Sequence, residues 1–158
     1  MQGYQPMQHA KTTGYLLQHV AAITDRRADQ ALQERMGIGM SQYRVMVVLR
    51  AGPGVQQKHI AEVLSQTEAS ISRQVKLMVE QGLVTSRVSQ ANRRQHLTAL
   101  TTRGLHFVQE ADDVLAGMYD QALEQLSNRQ QGQFDELLQL VHTRLCPEQT
   151  MADHIRIV

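Results

Sequence analysis

The sequence predicts a mainly α fold with one small β-hairpin, and three observations predict it. Apolar residues recur at helical spacing on both sides of a central region. Within that region two short helical segments are separated by the brief polar turn Ser65-Gln66. They are followed by two strand-like runs, LVTSRV and HLTAL, that flank a polar, turn-like SQANRRQ.

The first helix is expected from about His9 to Arg35, with Leu16, Val20, Ile23, Ala31 and Leu32 forming an intermittent apolar stripe. MGIGM breaks it, since Gly37 and Gly39 are poor helix residues and permit an unusual turn. Ser41 is the expected cap of a second helix, SQYRVMVVLR, whose dense apolar content predicts burial on more than one side. AGPG ends that helix, because proline cannot continue the hydrogen-bond ladder. A short third helix, QQKHIAEVL, packs through Ile60, Val63 and Leu64. The fourth, TEASISRQVKLMVEQG, takes Thr67 as its cap, with Ser65 as the alternative one turn earlier. Its spacing predicts one buried face of Ile71, Val75, Met78 and Val79, leaving Ser70, Arg73, Gln74 and Lys76 mainly outside. Gly82 stops it and the hairpin follows. Thr101 or Thr102 opens a long helix containing Leu105, Val108, Leu115, Met118, Tyr119, Ala122 and Leu126. A last helix, roughly Arg129 to Leu145, carries Phe134, Leu137, Leu138, Val141 and Leu145, and Pro147 ends it.

This order, two short helices and then a hairpin, is a winged helix-turn-helix, in which the second short helix enters a major groove of DNA and the hairpin lies beside it. Charge supports that reading. The net charge is only +1, yet Ala69 to Arg103 holds six basic residues against the single acid Glu80, a net +5, while Gly104 to Val158 holds three against nine. Ser70, Arg73 and Lys76 are spaced to share one exposed side, where hydroxyl and cationic donors reach base edges or phosphates. Arg93 and Arg94, at the hairpin tip, are placed to follow the backbone or enter a minor groove, and Lys58 and His59 to add phosphate contacts.

The compact reading module needs only the middle of the chain, so the amphipathic outer helices require a cover. A two-fold partner supplies one and sets two reading helices about 34 Å apart, matching successive major grooves of an inverted repeat. The expected organisation is therefore one domain over residues 1–158: an N-terminal dimerisation helix 9–35, a DNA-binding region 41–100 and C-terminal dimerisation helices 101–146.

The block IAEVLSQTEASISRQVKLMVEQGLVTSRVSQANRRQHLTALTTRG, Ile60 to Gly104, makes the chain recognisable. Its helix, turn, serine-containing second helix, EQGLV junction, arginine wing tip and LTxxG helix start resemble, in unbroken order, the MarR family of bacterial transcription regulators. The resemblance implies a homodimer with interlocked end helices, and DNA contact by Ser70, Ser72, Arg73, Lys76 and Arg93. It implies a sequence-specific double-stranded DNA-binding regulator, a repressor relieved by a small aromatic or anionic effector bound between dimerisation and reading helices. Tyr15, His19, Tyr43 and His106 lie in the helices that would border such a cavity. The chain departs from the family pattern at Ser89 and Asn92, which stand where wing aspartates are usual, so Arg93 lacks its customary carboxylate partner.

Other classes find little support. A phosphate-binding glycine loop and a nucleophile elbow are both missing, so no enzyme is expected. The seven histidines lack compact ligand spacing, and neither a metal nor another cofactor is expected. The single cysteine, Cys146, rules out an internal disulfide, fits a reducing cytoplasm, and reads as a structural or incidental thiol rather than a redox sensor. The densest apolar run, Val45 to Leu49, is too short to cross a bilayer, and no secretion signal is expected. The competing reading is a winged module that binds another protein, or an architectural module that binds DNA without sequence preference; a continuous positive surface over Arg73, Lys76 and Arg93 distinguishes the regulator from the first.

Overall fold

The computed structural model describes residues 6–89 and 96–145. Six α-helices and three short strands follow one another there: α1 (Pro6–Met36), α2 (Met40–Leu49), β1 (Val55–Gln56), α3 (Gln57–Val63), α4 (Glu68–Glu80), β2 (Val84–Val88), β3 (His96–Leu100), α5 (Thr102–Leu123) and α6 (Asn128–Leu145).

The core is built around α2, whose Val45, Met46 and Val47 have no exposed surface. Burial on more than one side follows from the run VMVVL, which leaves no polar face in the middle of the helix. Against it pack Ala28 and Leu32 of α1, Ile60 of α3, Ile71, Val75 and Met78 of α4, and Val108, Ala111 and Leu115 of α5. The cap of α2 differs from expectation. Gly39 takes the cap position, and the carboxylate of Asp29, carried by α1, accepts a 2.6 Å hydrogen bond from the Met40 amide. A carboxylate there satisfies an orphan donor and complements the positive end of the helix. Ser41 sits inside the helix and faces α4 instead. A side chain on Gly39 would crowd Asp29, with its Cβ 3.0 Å from Oδ1.

The sheet has three strands rather than two. It is antiparallel in the order β1-β3-β2, with Val55 opposite Thr98, and Val84 to Val88 paired with Leu100 to His96. Two residues of β1 are too few to show the alternation by which a strand is read. Val79 also departs from expectation: it is 41% exposed. One residue beyond Met78 is a turn of about 100°, enough to carry it from the buried stripe to the flank.

The end helices bury little. Burial on α1 begins only at Ala28, while Tyr15, Leu16, Leu17 and Val20 are exposed. No residue of α6 is buried, and Phe134, Leu137, Leu138, Leu140, Val141 and Leu145 are all exposed. These exposed apolar side chains recur at helical spacing along α1 and α6. Among the described residues, no helix is long and apolar enough to cross a membrane.

Candidate nucleic-acid interface

The helix-turn-helix is set by local bonds. Ser65, with φ at 51°, turns the chain between α3 and α4, and the Gln66 amide closes the turn on Ala61 O at 2.9 Å. Ser65 is thus the turn residue and Thr67 the cap, its hydroxyl accepting from the Ser70 amide at 3.2 Å. At the other end Gly82, with φ at 71°, lets the Leu83 amide reach Met78 O at 2.9 Å and stops α4.

A polar cluster fixes α4 against α2. The Gln74 amide Nε2 donates to Ser41 Oγ at 2.7 Å and to Gln66 Oε1 at 3.3 Å, and Gln66 Nε2 donates to Ser41 Oγ at 3.4 Å. The Ser70 hydroxyl donates to Gln66 Oε1 at 3.2 Å. Sequence spacing alone places Ser70 and Gln74 near the outer face, but both are half-buried and turned toward this cluster. Ser72, Arg73 and Lys76 are exposed on the helix's free side. Lys58 and His59 are exposed at the start of α3, where they line a shallow hollow with Val55, Gln56 and Glu62. Glu62 lies 3.8 Å from Lys58 Nζ and partly offsets its charge. Arg93, Arg94 and Cys146 lie outside the described residues. Ser89, the serine that stands at an acidic position of the resembled wing, is buried.

A second cluster joins α2 to α5. The Tyr43 hydroxyl donates to Asp112 Oδ1 at 2.7 Å, and Arg50 Nη1 pairs with Asp112 Oδ2 at 2.5 Å. Tyr43 and Arg50 are two turns apart on one face of α2, so a single carboxylate grips both. Burial, then the hydrogen bond and charge of Asp112, push the Tyr43 phenol well above its ordinary range. Beside them Arg44 pairs with Asp25 of α1. Partial burial, then the Asp25 charge, raises the Tyr119 phenol as well.

The residues expected to border an effector cavity are divided. Tyr15 and His19 stack on α1, ring centres 5.6 Å apart and planes 10° from parallel, both exposed. Tyr43 is buried in the Asp112 cluster, and His106 is exposed on the first turns of α5. Among the described residues no ring contact or hydrogen bond joins the Tyr15-His19 pair to Tyr43 or His106. No group of three or more histidine, cysteine, aspartate or glutamate side chains in metal-binding proximity occurs among the described residues. Asp112, Arg50, Ser41 and Gln66 were not legible as site residues, because their partners lie far away in sequence: Asp112 meets residues 69 and 62 positions back.

The reading module and its flanking helices match known proteins. Residues 36–95 match the model of the MarR family. A HTH-type transcriptional repressor of Mycobacterium tuberculosis is 25% identical over 126 residues, spanning 80% of this chain and 90% of that protein. Wild-type MarR of E. coli in its apo form shares the MarR-type fold at a TM-score of 0.75 and 21% identity, over 81% of this chain and 94% of that one. The S. aureus MepR–DNA complex shares it at 0.65 and 24%, over 84% of this chain and 97% of MepR.

Proposed function

We propose that this chain is a MarR family transcription regulator, a homodimer that binds an inverted repeat in double-stranded DNA through α4 of each subunit and represses transcription. The observation that carries the reading is the division of α4 into two faces. Ile71, Val75 and Met78 anchor it with 2% exposure or less, while Ser72, Arg73 and Lys76 stand free on the other side. A helix held by its apolar stripe and by the Gln74–Ser41 bond keeps its cationic side available without further ordering, which lowers the entropic cost of binding. Arg73 is placed for bidentate contact with guanine, and Lys76 for phosphate. Ser70 contributes from within, holding Gln66 and the turn rather than reaching outward. Arg93 and Arg94 of the wing act on the flanking backbone or minor groove.

The exposed apolar faces of α1 and α6 support the dimer, since a second copy covers both and sets the spacing of the reading helices. In this arrangement residues 1–158 act as one regulator domain in the cytoplasm, and the role is binding rather than catalysis. The relatives, a repressor of M. tuberculosis and MepR in complex with DNA, support the same reading. A small aromatic or anionic effector relieves repression by binding among the helices that carry Tyr15, His19, Tyr43 and His106.

Selection of genomic DNA by the purified protein tests this. Recovery of a short inverted repeat bound by one dimer is the expected result. Weak, sequence-independent binding would instead indicate an architectural or protein-binding module.

A further inference from the structure

The hydroxyl of Ser70 is turned inward to Gln66, so the outward position in the first turn of α4 belongs to its neighbour Ala69, which is exposed. Given the DNA-binding reading above, we propose that Ala69 is a specificity-determining residue that reads the methyl group of a thymine in the operator's major groove.

Ala69, Arg73, Lys76 and Glu80 fall at intervals of four, three and four, so they form one stripe along the helix, and all four are exposed. That stripe lies opposite Ile71, Val75 and Met78, the residues that seat α4 in the core. It is the row that faces a bound duplex. Its C-terminal end carries the carboxylate of Glu80, which phosphates repel, whereas its N-terminal end carries Ala69 beside Ser72 and Arg73. The N-terminal end is therefore the one that enters the groove, in keeping with how recognition helices dock.

At that end Ala69 offers only a methyl group. It neither donates nor accepts a hydrogen bond, and among the base edges of the major groove only thymine, through its C5 methyl, supplies an apolar partner. The short side chain also brings the helix backbone close to the groove floor, which puts Arg73, one turn on, within reach of a neighbouring guanine. Glu68 stands about 100° round the helix, on the flank of the row. The cluster of Ser41, Gln66, Ser70 and Gln74 holds the inward side, so Ala69 keeps its outward direction without contacting that cluster.

The test uses the full chain and the operator recovered by selection, with each thymine replaced in turn by deoxyuridine, which removes the C5 methyl alone. One thymine in each half-site is expected to show about a fourfold loss of affinity per half-site with the wild type, the value of one buried methyl-sized group. Ser70→Ala should keep that sensitivity. Ala69→Gly and Ala69→Asn should lose it, each binding the thymine and uracil operators equally, with circular dichroism confirming that both variants are folded. A uracil effect that persists in both variants, or no uracil effect at any thymine, overturns the Ala69 assignment while leaving the DNA-binding reading in place. A wild type that selects no operator at all overturns both.

Discussion

A methyl group added at Gly104 would lie 2.0 Å from the carbonyl oxygen of Leu83, 3.0 Å from its carbonyl carbon and 3.2 Å from Leu100 Cδ2. The first neighbour is backbone and cannot rotate away. Ordinary contact begins near 3.4 Å, so the start of α5 must move outward by more than an ångström. That movement strikes the bonds that join α5 to the end of α4. Leu83 O accepts from the Thr101 amide at 3.0 Å and from its hydroxyl at 3.1 Å, and Thr101 Oγ1 accepts from the Gly104 amide at 2.9 Å. Overpacking costs roughly 1–3 kcal/mol, and loss of a helix cap about 1 kcal/mol more. Gly104→Ala should therefore destabilise the protein by about 3 kcal/mol, lowering Tm by about 6–12 °C in a chain of this size. Gly117→Ala, in the same helix, is the control: its Cβ meets nothing within 4 Å, so helix propensity alone acts and stability rises by up to about 1 kcal/mol. Thermal unfolding followed by circular dichroism measures both. A Gly104→Ala protein melting within about 2 °C of wild type would refute the close-approach reasoning.

Three further outcomes follow from single side chains. Thr98 is fully buried and its hydroxyl has no hydrogen-bond partner among the described residues, so Thr98→Val should hold or raise stability by up to about 1 kcal/mol in urea titration; a clear loss would mean the hydroxyl is paired. Asp112→Ala leaves the buried Tyr43 hydroxyl unsatisfied and should cost about 2 kcal/mol, mostly through that hydroxyl because the Arg50 pair is about a third exposed. Adding Tyr43→Phe should recover part of that loss, and simple additivity of the two losses would contradict the bond. Because folding raises the Tyr43 phenol above its ordinary 10.0, the folded state holds the proton more tightly, so its contribution is complete below pH 10 and lost as pH rises beyond it. Wild-type stability should fall more steeply than that of Tyr43→Phe above about pH 10, and parallel curves would exclude Tyr43 as the cause.

What could be read from the sequence depended on range. The helices and their order were legible, and the starts of α4 and α5 were narrowed to Thr67 or Ser65 and to Thr101 or Thr102, of which Thr67 and Thr101 are the caps, because spacing and capping are written within a few residues. The buried stripe of α4 was legible for Ile71, Val75 and Met78, and misjudged at Val79, where the adjacent position turns off the stripe. β1 was missed because two residues carry no alternation, and its pairing with β3 joins positions 43 apart, Val55 with Thr98. The same limit governed the site. Exposure of Ser72, Arg73 and Lys76 follows from their place opposite the apolar stripe, but the inward turn of Ser70 depends on Gln66 and Gln74 meeting Ser41, which belongs to another helix. The capping of α2 by Asp29 is likewise a contact between helices, which a reading confined to Ser41 and its neighbours does not reach.

A salt-dependent titration of the selected operator with wild type, Arg73→Ala and Lys76→Ala tests most directly whether α4 reads DNA. Affinity of the wild type should fall steeply with salt, and Lys76→Ala should reduce the slope by about one for each phosphate contact removed, or about two per dimer, at nearly uniform cost across sequences. Arg73→Ala should instead lose discrimination at one base pair in each half-site, by about 1–3 kcal/mol. Unchanged slope and unchanged discrimination in both variants would contradict the assignment of α4 as the reading helix.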